Sequence, residues 1–430
     1  MAPDMTTKTA PAGRRPVAML VHSYYEEDPR VRREAEAVVA AGRPVDVYAL
    51  RRPGDDADAV IDGVHLHRVD VQRHQGAGVG TYLREYLTFL ARAGWAMTQA
   101  HRRRHYAVVQ VHTMPDFLVF AGLPLRTVGV PLILDMHEAM PVFFPTRFPR
   151  AASPLARRAL RLQERLSIAA ASHAITVNEA LFDRLVDLGV RPDKITVVPN
   201  HPSLVRFDPT SVAARPFMAD GILRLVYAGA LTPVYELDVA IDAVARLAEL
   251  RPGLEVRLEI YGRGDSEPAL RERVAAAGLG DRVTFRGRIP FEAVPAALAA
   301  ADIGLAPTRL DSYTRFSLST KVFEYGAMRR PVVATRLPLV ERTFGPGTVL
   351  TYEPGDAPDL ASAILHLVDQ PAEREARVDR TAARIAELAW EREVGSYLAI
   401  VEALAPDGLS SGSDVHAGAT TAPMADLEDS

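Results

Sequence analysis

Short, uninterrupted apolar runs alternate with helix-length segments along almost the whole chain, and the alternation starts afresh near its middle. A strand that reads as continuous Val, Ile and Leu, rather than apolar and polar in turn, is buried on both faces. Such strands pair in parallel when helices separate them, because a parallel crossover needs a dozen or more residues and lays its helix over the sheet. The first half carries these runs at 16–21, 45–50, 64–69, 108–111, 132–135, 174–177 and 195–198, with a helical packing face over 31–41 formed by Ala35, Val38 and Val39. Pro199 and Pro202 punctuate the end of this series. The second half repeats the pattern with runs at 223–227, 256–260, 283–285, 303–306, 332–334 and 349–351, and a return helix over 237–250. The predicted fold class is therefore α/β, with two open, mostly parallel sheets in two domains joined by a hinge near 201–221. The domains expected are 15–205 and 206–386, with a last helix at about 387–405 packing back on the first. Segments 1–14 and 408–430 are rich in Pro, Gly, Ser, Thr and Asp and read as disordered.

Composition acts mainly by exclusion. At 430 residues the chain is too long for one ordinary core and suits two of roughly 200 residues each. With no cysteine, disulfides, thiolate nucleophiles and cysteine metal sites are ruled out. A net charge of −4 gives no reason to expect bulk nucleic-acid binding. The basic runs Arg102-Arg103-Arg104 and Arg157-Arg158 with Arg161 read as solvated surface or an anion-facing edge. The first 15 residues lack a long apolar stretch and no run reaches transmembrane length, so a cytoplasmic location is expected.

Two open sheets whose strand C-termini face each other leave a cleft, and ligands bind at that edge of an α/β sheet. Only three of the 50 Lys and Arg residues are lysines, and one of them, Lys321, stands where a strand-loop-helix unit reaches the cleft. Ser319 or Thr320 would cap the helix that follows, leaving first-turn amides for an anion, with Leu318 just before it. Lys321 would offset charge growing on a departing diphosphate, and Glu324, one turn on, would grip paired ribose hydroxyls. Gly229, Gly262 and Gly264 end strands, and Gly287-Arg288-Ile289-Pro290 follows another. Bare backbone at Gly229-Ala230 and Gly262-Arg263-Gly264 admits a ligand closely, and the Arg288-Ile289 loop would meet a base. No His, Asp and Glu spacing amounts to a metal motif.

These segments resemble the retaining nucleotide-sugar glycosyltransferases of the GT-B superfamily, family 4 (glycosyl transferases group 1). The resemblance rests on Asp28-Pro29-Arg30-Val31-Arg32-Arg33-Glu34-Ala35 with Ala41-Gly42, Asp135-Met136-His137-Glu138, Ile175-Thr176-Val177-Asn178 and Val198-Pro199-Asn200-His201-Pro202 in the first half. In the second half it rests on Lys321-Val322-Phe323-Glu324-Tyr325-Gly326-Ala327 and Pro331-Val332-Val333-Ala334-Thr335. It implies two Rossmann-like domains facing across a cleft, a UDP-, GDP- or dTDP-linked sugar as donor and no cofactor or metal. Catalytic roles fall to His137, Lys321 and Glu324, with Arg309, Arg315 or an arginine within 28–33 as a second positive group at the donor. Acceptor contacts fall to Tyr24, Tyr25, Asp28, Arg30 and Glu138. Two features depart from the family. Phe316 stands where many members have a sugar-gripping glutamate, and Gly229-Ala230-Leu231-Thr232-Pro233-Val234-Tyr235-Glu236 lacks the basic pair many carry.

The activity expected is transfer of a hexosyl group, with retention, from a nucleotide diphosphate sugar to an acceptor hydroxyl in natural-product or polysaccharide biosynthesis. The competing enzyme readings are a GT-B sugar-nucleotide epimerase or phosphorylase. The competing non-enzyme reading is a nucleotide-sugar binding protein that has lost catalysis. His22, His112, Met114 and Asp116 follow other first-half strands and are weaker candidates. The partners expected are the nucleotide sugar and its acceptor, to a monomer or homodimer, and no nucleic acid. A lipid-linked acceptor would bring the chain to a membrane as a peripheral contact. No long basic and apolar helix is read from the sequence, which favours a soluble acceptor.

Overall fold

The apolar runs form two separate sheets in the computed structural model, which describes residues 13–74, 78–201, 203–213 and 215–405. Most of the two terminal segments, and Pro202, lie outside the described residues. The first sheet contains β1 (Val17–Leu20), β2 (Val45–Leu50), β3 (Asp58–Ile61), β4 (Val64–Val69), β5 (Val108–His112), β6 (Leu132–Met136), β7 (His173–Thr176) and β8 (Ile195–Val197). Its strand order is β3-β4-β2-β1-β5-β6-β7-β8. The second contains β9 (Ile222–Ala228), β10 (Glu255–Tyr261), β11 (Val283–Gly287), β12 (Ile303–Ala306), β13 (Val332–Thr335) and β14 (Leu350–Tyr352). Its order is β11-β10-β9-β12-β13-β14. In both sheets the order reverses beside the first strand, and a crevice opens at such a switch point.

Every pairing is parallel except β3 with β4. The sequence reading missed β3. It is a short edge strand of alternating exposure, so it lacks the continuous apolar run that marks the others. A local signal was present in Asp62-Gly63, where both residues have positive φ (49° and 79°). Two such residues between strands make a tight hairpin turn.

Burial on both faces follows the two-residue period of a strand. In β1, Ala18 and Leu20 join a core with Phe89, Met97, Val109 and Leu118, beneath the helix Val79–Arg104. Val17 and Met19 join another with Val31 and Val38 of the helix Pro29–Ala40. The end of the chain belongs to that second core. The last helix, Trp390–Leu404, falls where the sequence placed it, and a further helix, Pro371–Glu387, precedes it across a break at Leu388 and Ala389. Trp390, Tyr397 and Val401 are buried against the first sheet, and the Tyr397 hydroxyl donates to Gln110 Oε1 at 2.8 Å. The fold is thus two Rossmann-like α/β domains facing across a cleft, with the chain returning to the first at its end. Among the described residues no helix is long and apolar enough to cross a membrane.

Replacing a fully buried aromatic by alanine removes its transfer energy and leaves a cavity. Tyr397→Ala is therefore expected to cost about 3–5 kcal/mol in denaturant unfolding. Tyr397→Phe, which deletes one buried hydrogen bond, is expected to cost about 1–3 kcal/mol. A Tyr397→Ala loss under about 1 kcal/mol would contradict the packing role of the last helix.

Candidate active site

On the second domain the helix Thr320–Ala327 starts at the cleft. Ser319 occupies its N-cap position, but its hydroxyl makes no cap hydrogen bond and is buried without a partner. The helix start lies at a recess lined by Ser317, Leu318, Ser319 and Thr320. Lys321 is only 6% exposed. Its Nζ lies 3.9 Å from the Tyr235 ring centre and 5.2 Å from that of Tyr227. Among the described residues no carboxylate pairs with it. Gly229 lets it in: a Cβ there would sit 2.3 Å from Lys321 Cε. Gly262 and Gly264 serve a different contact from the ligand approach read in the sequence. A Cβ at either would strike the backbone of the β9 loop, 1.8 Å from Gly229 O and 2.2 Å from Leu231 O. The two loops are joined by Gly229 N to Tyr261 O at 2.9 Å and Leu231 N to Arg263 O at 3.0 Å.

Opposite stands His137, just past β6. Its backbone N–H donates to Thr113 Oγ1 at 3.0 Å, while neither ring nitrogen makes a well-aligned hydrogen bond. Nε2 lies 3.1 Å from Asp135 Oδ2, and the same oxygen accepts from His112 Nδ1 at 2.8 Å. The two imidazoles stack with planes 9° apart. Burial, with the charge of Arg30, holds the His137 pKa below its ordinary value, which favours the neutral ring. Burial opposes charge on His112 as well, but Asp135 outweighs it and raises that pKa. Side-chain atoms of His112, Asp135 and His137 lie within 4.8 Å of one another, a spacing that could hold a cation; hydrogen bonding to Asp135 accounts for the place of His112 in it.

Arg30 lines three adjoining recesses: the one between His137 and Ser319, a second on the first domain, and a third that holds Glu324 with Phe207 and Phe291. Asp28 fixes Arg30 at 3.2 Å and caps its helix through the Arg30 and Val31 amides. Burial disfavours the Asp28 carboxylate, yet Arg30 outweighs this and lowers its pKa. Burial raises the pKa of Glu324 despite Lys321, and that of Glu138 despite Tyr313.

The remaining sequence-predicted residues divide. Tyr24 lines the first-domain recess, whereas Tyr25 is a core residue. Glu138 lines the cleft but accepts from the Tyr313 hydroxyl across it. Arg288 pairs with Glu27 of the other domain at 2.6 Å. Arg309 pairs with Asp238 at 3.2 Å and lines none of the three recesses, nor do Ala230, Arg263 and Ile289. Of the weaker candidates, His22 and Met114 line the first-domain recess, and Asp116 is wholly buried outside the three. Sequence reasoning missed Tyr235 as the seat of Lys321. It also missed Tyr82, Glu85 and Tyr86, which line the first-domain recess. Their i, i+3, i+4 spacing, aromatic and acidic on one helix face, was the available signal.

Two family models match in tandem: "Glycosyl transferase 4-like domain" over residues 28–201 and "Glycosyl transferases group 1" over residues 223–370. An alpha-D-kanosaminyltransferase of Streptomyces kanamyceticus is 25% identical over 67% of this chain and 75% of its own. A D-inositol 3-phosphate glycosyltransferase of Pseudarthrobacter chlorophenolicus is 29% identical over 71% of this chain and 73% of its own. Among solved structures, sucrose-phosphate synthase from Thermosynechococcus elongatus superposes with a TM-score of 0.72 at 19% identity, covering 91% of this chain and 99% of that one. The chain belongs to the GT-B fold glycosyltransferases related to the group 1 and 4-like families.

Asp116 offers a pH test of this electrostatic picture. Both its carboxyl oxygens are buried without hydrogen bonds, and burial, with nearby Glu164, pushes its pKa up to about 8. A folded-state pKa above the unfolded one means the folded chain holds the extra proton, so stability falls as pH rises between the two values. The Tm advantage of Asp116→Asn over wild type is expected to widen from pH 5 to pH 9 by thermal unfolding. A difference that stays constant with pH would contradict the assignment.

Proposed function

We propose that the protein transfers a hexosyl group from a nucleotide diphosphate sugar to an acceptor hydroxyl, with retention at the anomeric carbon. The observation that carries this reading is the buried Lys321 ammonium, which forms no ion pair among the described residues and sits in the first turn of a helix whose N-cap hydroxyl is also unpaired. A buried charge without a counter-charge is costly, and a diphosphate at this helix start would supply one. Tyr235 covers the ammonium and lines the recess, so contact with the diphosphate requires Lys321 or Tyr235 to shift. Arg30, where the three recesses meet, provides the second positive group in place of the missing basic pair.

The nucleoside lies along the recess of Glu324, whose carboxyl accepts from the ribose hydroxyls. The sugar lies between Ser319 and His137. The neutral His137 ring hydrogen-bonds the sugar's hydroxyls and orients it. In the transfer, the bond from the anomeric carbon to the diphosphate oxygen breaks while the acceptor oxygen bonds the same face. The acceptor proton passes to the departing diphosphate oxygen. Lys321, Arg30 and the helix amides stabilise the charge that develops there. The acceptor enters from the first-domain recess beside Tyr24 and Tyr86. Both curated relatives bear the names of glycosyltransferases, which supports the same reaction class here.

Thermal shift with UDP, GDP and dTDP identifies the carrier, and turnover of the matching hexosyl donors is then followed over a panel of polyol and sugar acceptors. Lys321→Ala is expected to lower kcat about 100- to 1,000-fold, the scale for losing one preorganised charge-stabilising group. Glu324→Gln is expected chiefly to raise the donor Kd, by about tenfold, as befits one hydrogen bond to a charged group. Near-normal kcat in a folded Lys321→Ala protein would overturn the reading. Donor binding with no transfer over the panel would favour a binding protein.

A further inference from the structure

The helix Pro154–Ala170 carries two apolar faces where a surface helix needs one. Its inward face is accounted for, with Ser167 and Ile168 buried against the first domain. The outward face presents Leu155, Leu162 and Leu166, exposed by 76, 58 and 52% respectively. With exposed Ala159 they fall at i, i+4, i+7 and i+11, the spacing of one continuous helical stripe. Arg157, Arg158, Arg161 and Arg165 are exposed along the same helix, and Arg158, Arg161 and Arg165 have no ion-pair partner among the described residues. The helix has one acid, Glu164. It is buried and held by Arg184 at 2.7 and 2.8 Å, so the exposed charge is all positive in a chain whose net charge is −4.

We infer that this outward face docks on an anionic lipid surface. Unpaired arginines alone would suit any polyanion, but leucines on the same face need an apolar phase, which a bilayer offers beneath its anionic headgroups. Long arginine stems lie along the apolar layer while their guanidinium groups remain with the phosphates. The position fits such a partner. Helix Met140–Arg147, which packs on this one, contributes Val142 to the cleft. Phe148, between the two helices, meets Tyr82 of the first-domain recess at 5.7 Å. On the helix that carries Tyr82, Leu83 and Leu87 are exposed too. The surface thus adjoins the recess assigned to the acceptor, and the basic and apolar helix absent from the sequence reading is present.

The inference stands apart from the proposed reaction and needs no substrate to test. The full chain is sedimented with vesicles of phosphatidylcholine alone or mixed with phosphatidylglycerol, at low and high salt. Wild type is expected to partition at least tenfold more strongly onto the anionic vesicles, and salt should weaken this. The triple variants Leu155→Ser/Leu162→Ser/Leu166→Ser and Arg158→Gln/Arg161→Gln/Arg165→Gln are each expected to lose about tenfold or more. Both replace exposed side chains, and circular dichroism with thermal unfolding checks that they fold. Equal partition of wild type and the folded arginine variant would overturn the inference, as would no binding of wild type to anionic vesicles. A concentration-dependent dimer in sedimentation velocity that the leucine variant abolishes, with no vesicle binding, would instead assign the stripe to a second copy of the chain.

Discussion

One carboxylate, Asp135, ties the first domain together where its strands end. Its Oδ2 accepts from His112 at 2.8 Å and from Gln110 at 3.3 Å, and lies 3.1 Å from His137. Gln110 in turn donates to Glu34 at 2.6 Å and accepts from Tyr397 of the last helix. Strands β5 and β6, the helix Pro29–Ala40 and the returning C-terminal helix therefore meet in one buried network. Burial favours neutral acids, and it holds the Glu34 pKa up beside Asp135. For Asp135 the neighbouring His137 and His112 outweigh burial and hold its pKa well below the ordinary carboxylate range. His137 stands at the cleft on the outer edge of this network, backed by the buried groups behind it. Such support outside the contact layer is what holds a site in a fixed geometry.

The second wall is built on a different principle. Backbone meets backbone where the β9 and β10 loops touch at Gly229, Gly262 and Gly264, and this leaves room for one long side chain, that of Lys321. Tyrosine rings rather than carboxylates hold its ammonium, so its charge is stabilised without being neutralised. The two walls are held in contact by Tyr313 to Glu138, by Asn178 to the Phe316 carbonyl at 2.9 Å and by Arg288 to Glu27 at 2.6 Å. Residues that a sequence reading assigns to ligands, Glu138 and Arg288 among them, take each other's domain as partner in this arrangement.

What the sequence made legible follows from periodicity. Parallel strands buried on both faces leave continuous apolar runs, and those runs located every strand except β3, whose one exposed edge breaks the pattern. Segment order carried the family, because Asp135-Met136-His137-Glu138 and Lys321-Val322-Phe323-Glu324 recur at fixed places relative to those strands. Side-chain partners were less legible. Tyr25 and Tyr24 are neighbours in the chain, yet one is core and the other lines a recess, a choice set by one step along the backbone. The outward stripe of Pro154–Ala170 was half legible: its arginines read as solvated surface or an anion-facing edge, but which face its leucines occupy depends on how the helix packs.

The central claim is that the diphosphate of the donor sits at the start of the helix Thr320–Ala327, against Lys321 and facing His137. Hydrogen–deuterium exchange of the full chain, with and without saturating nucleoside diphosphate, tests it most directly. The account predicts slowed exchange in the Ser317–Phe323 amides on binding, with loss of that protection when Lys321 is replaced by alanine. Protection elsewhere, with residues 317–323 unchanged, would contradict it.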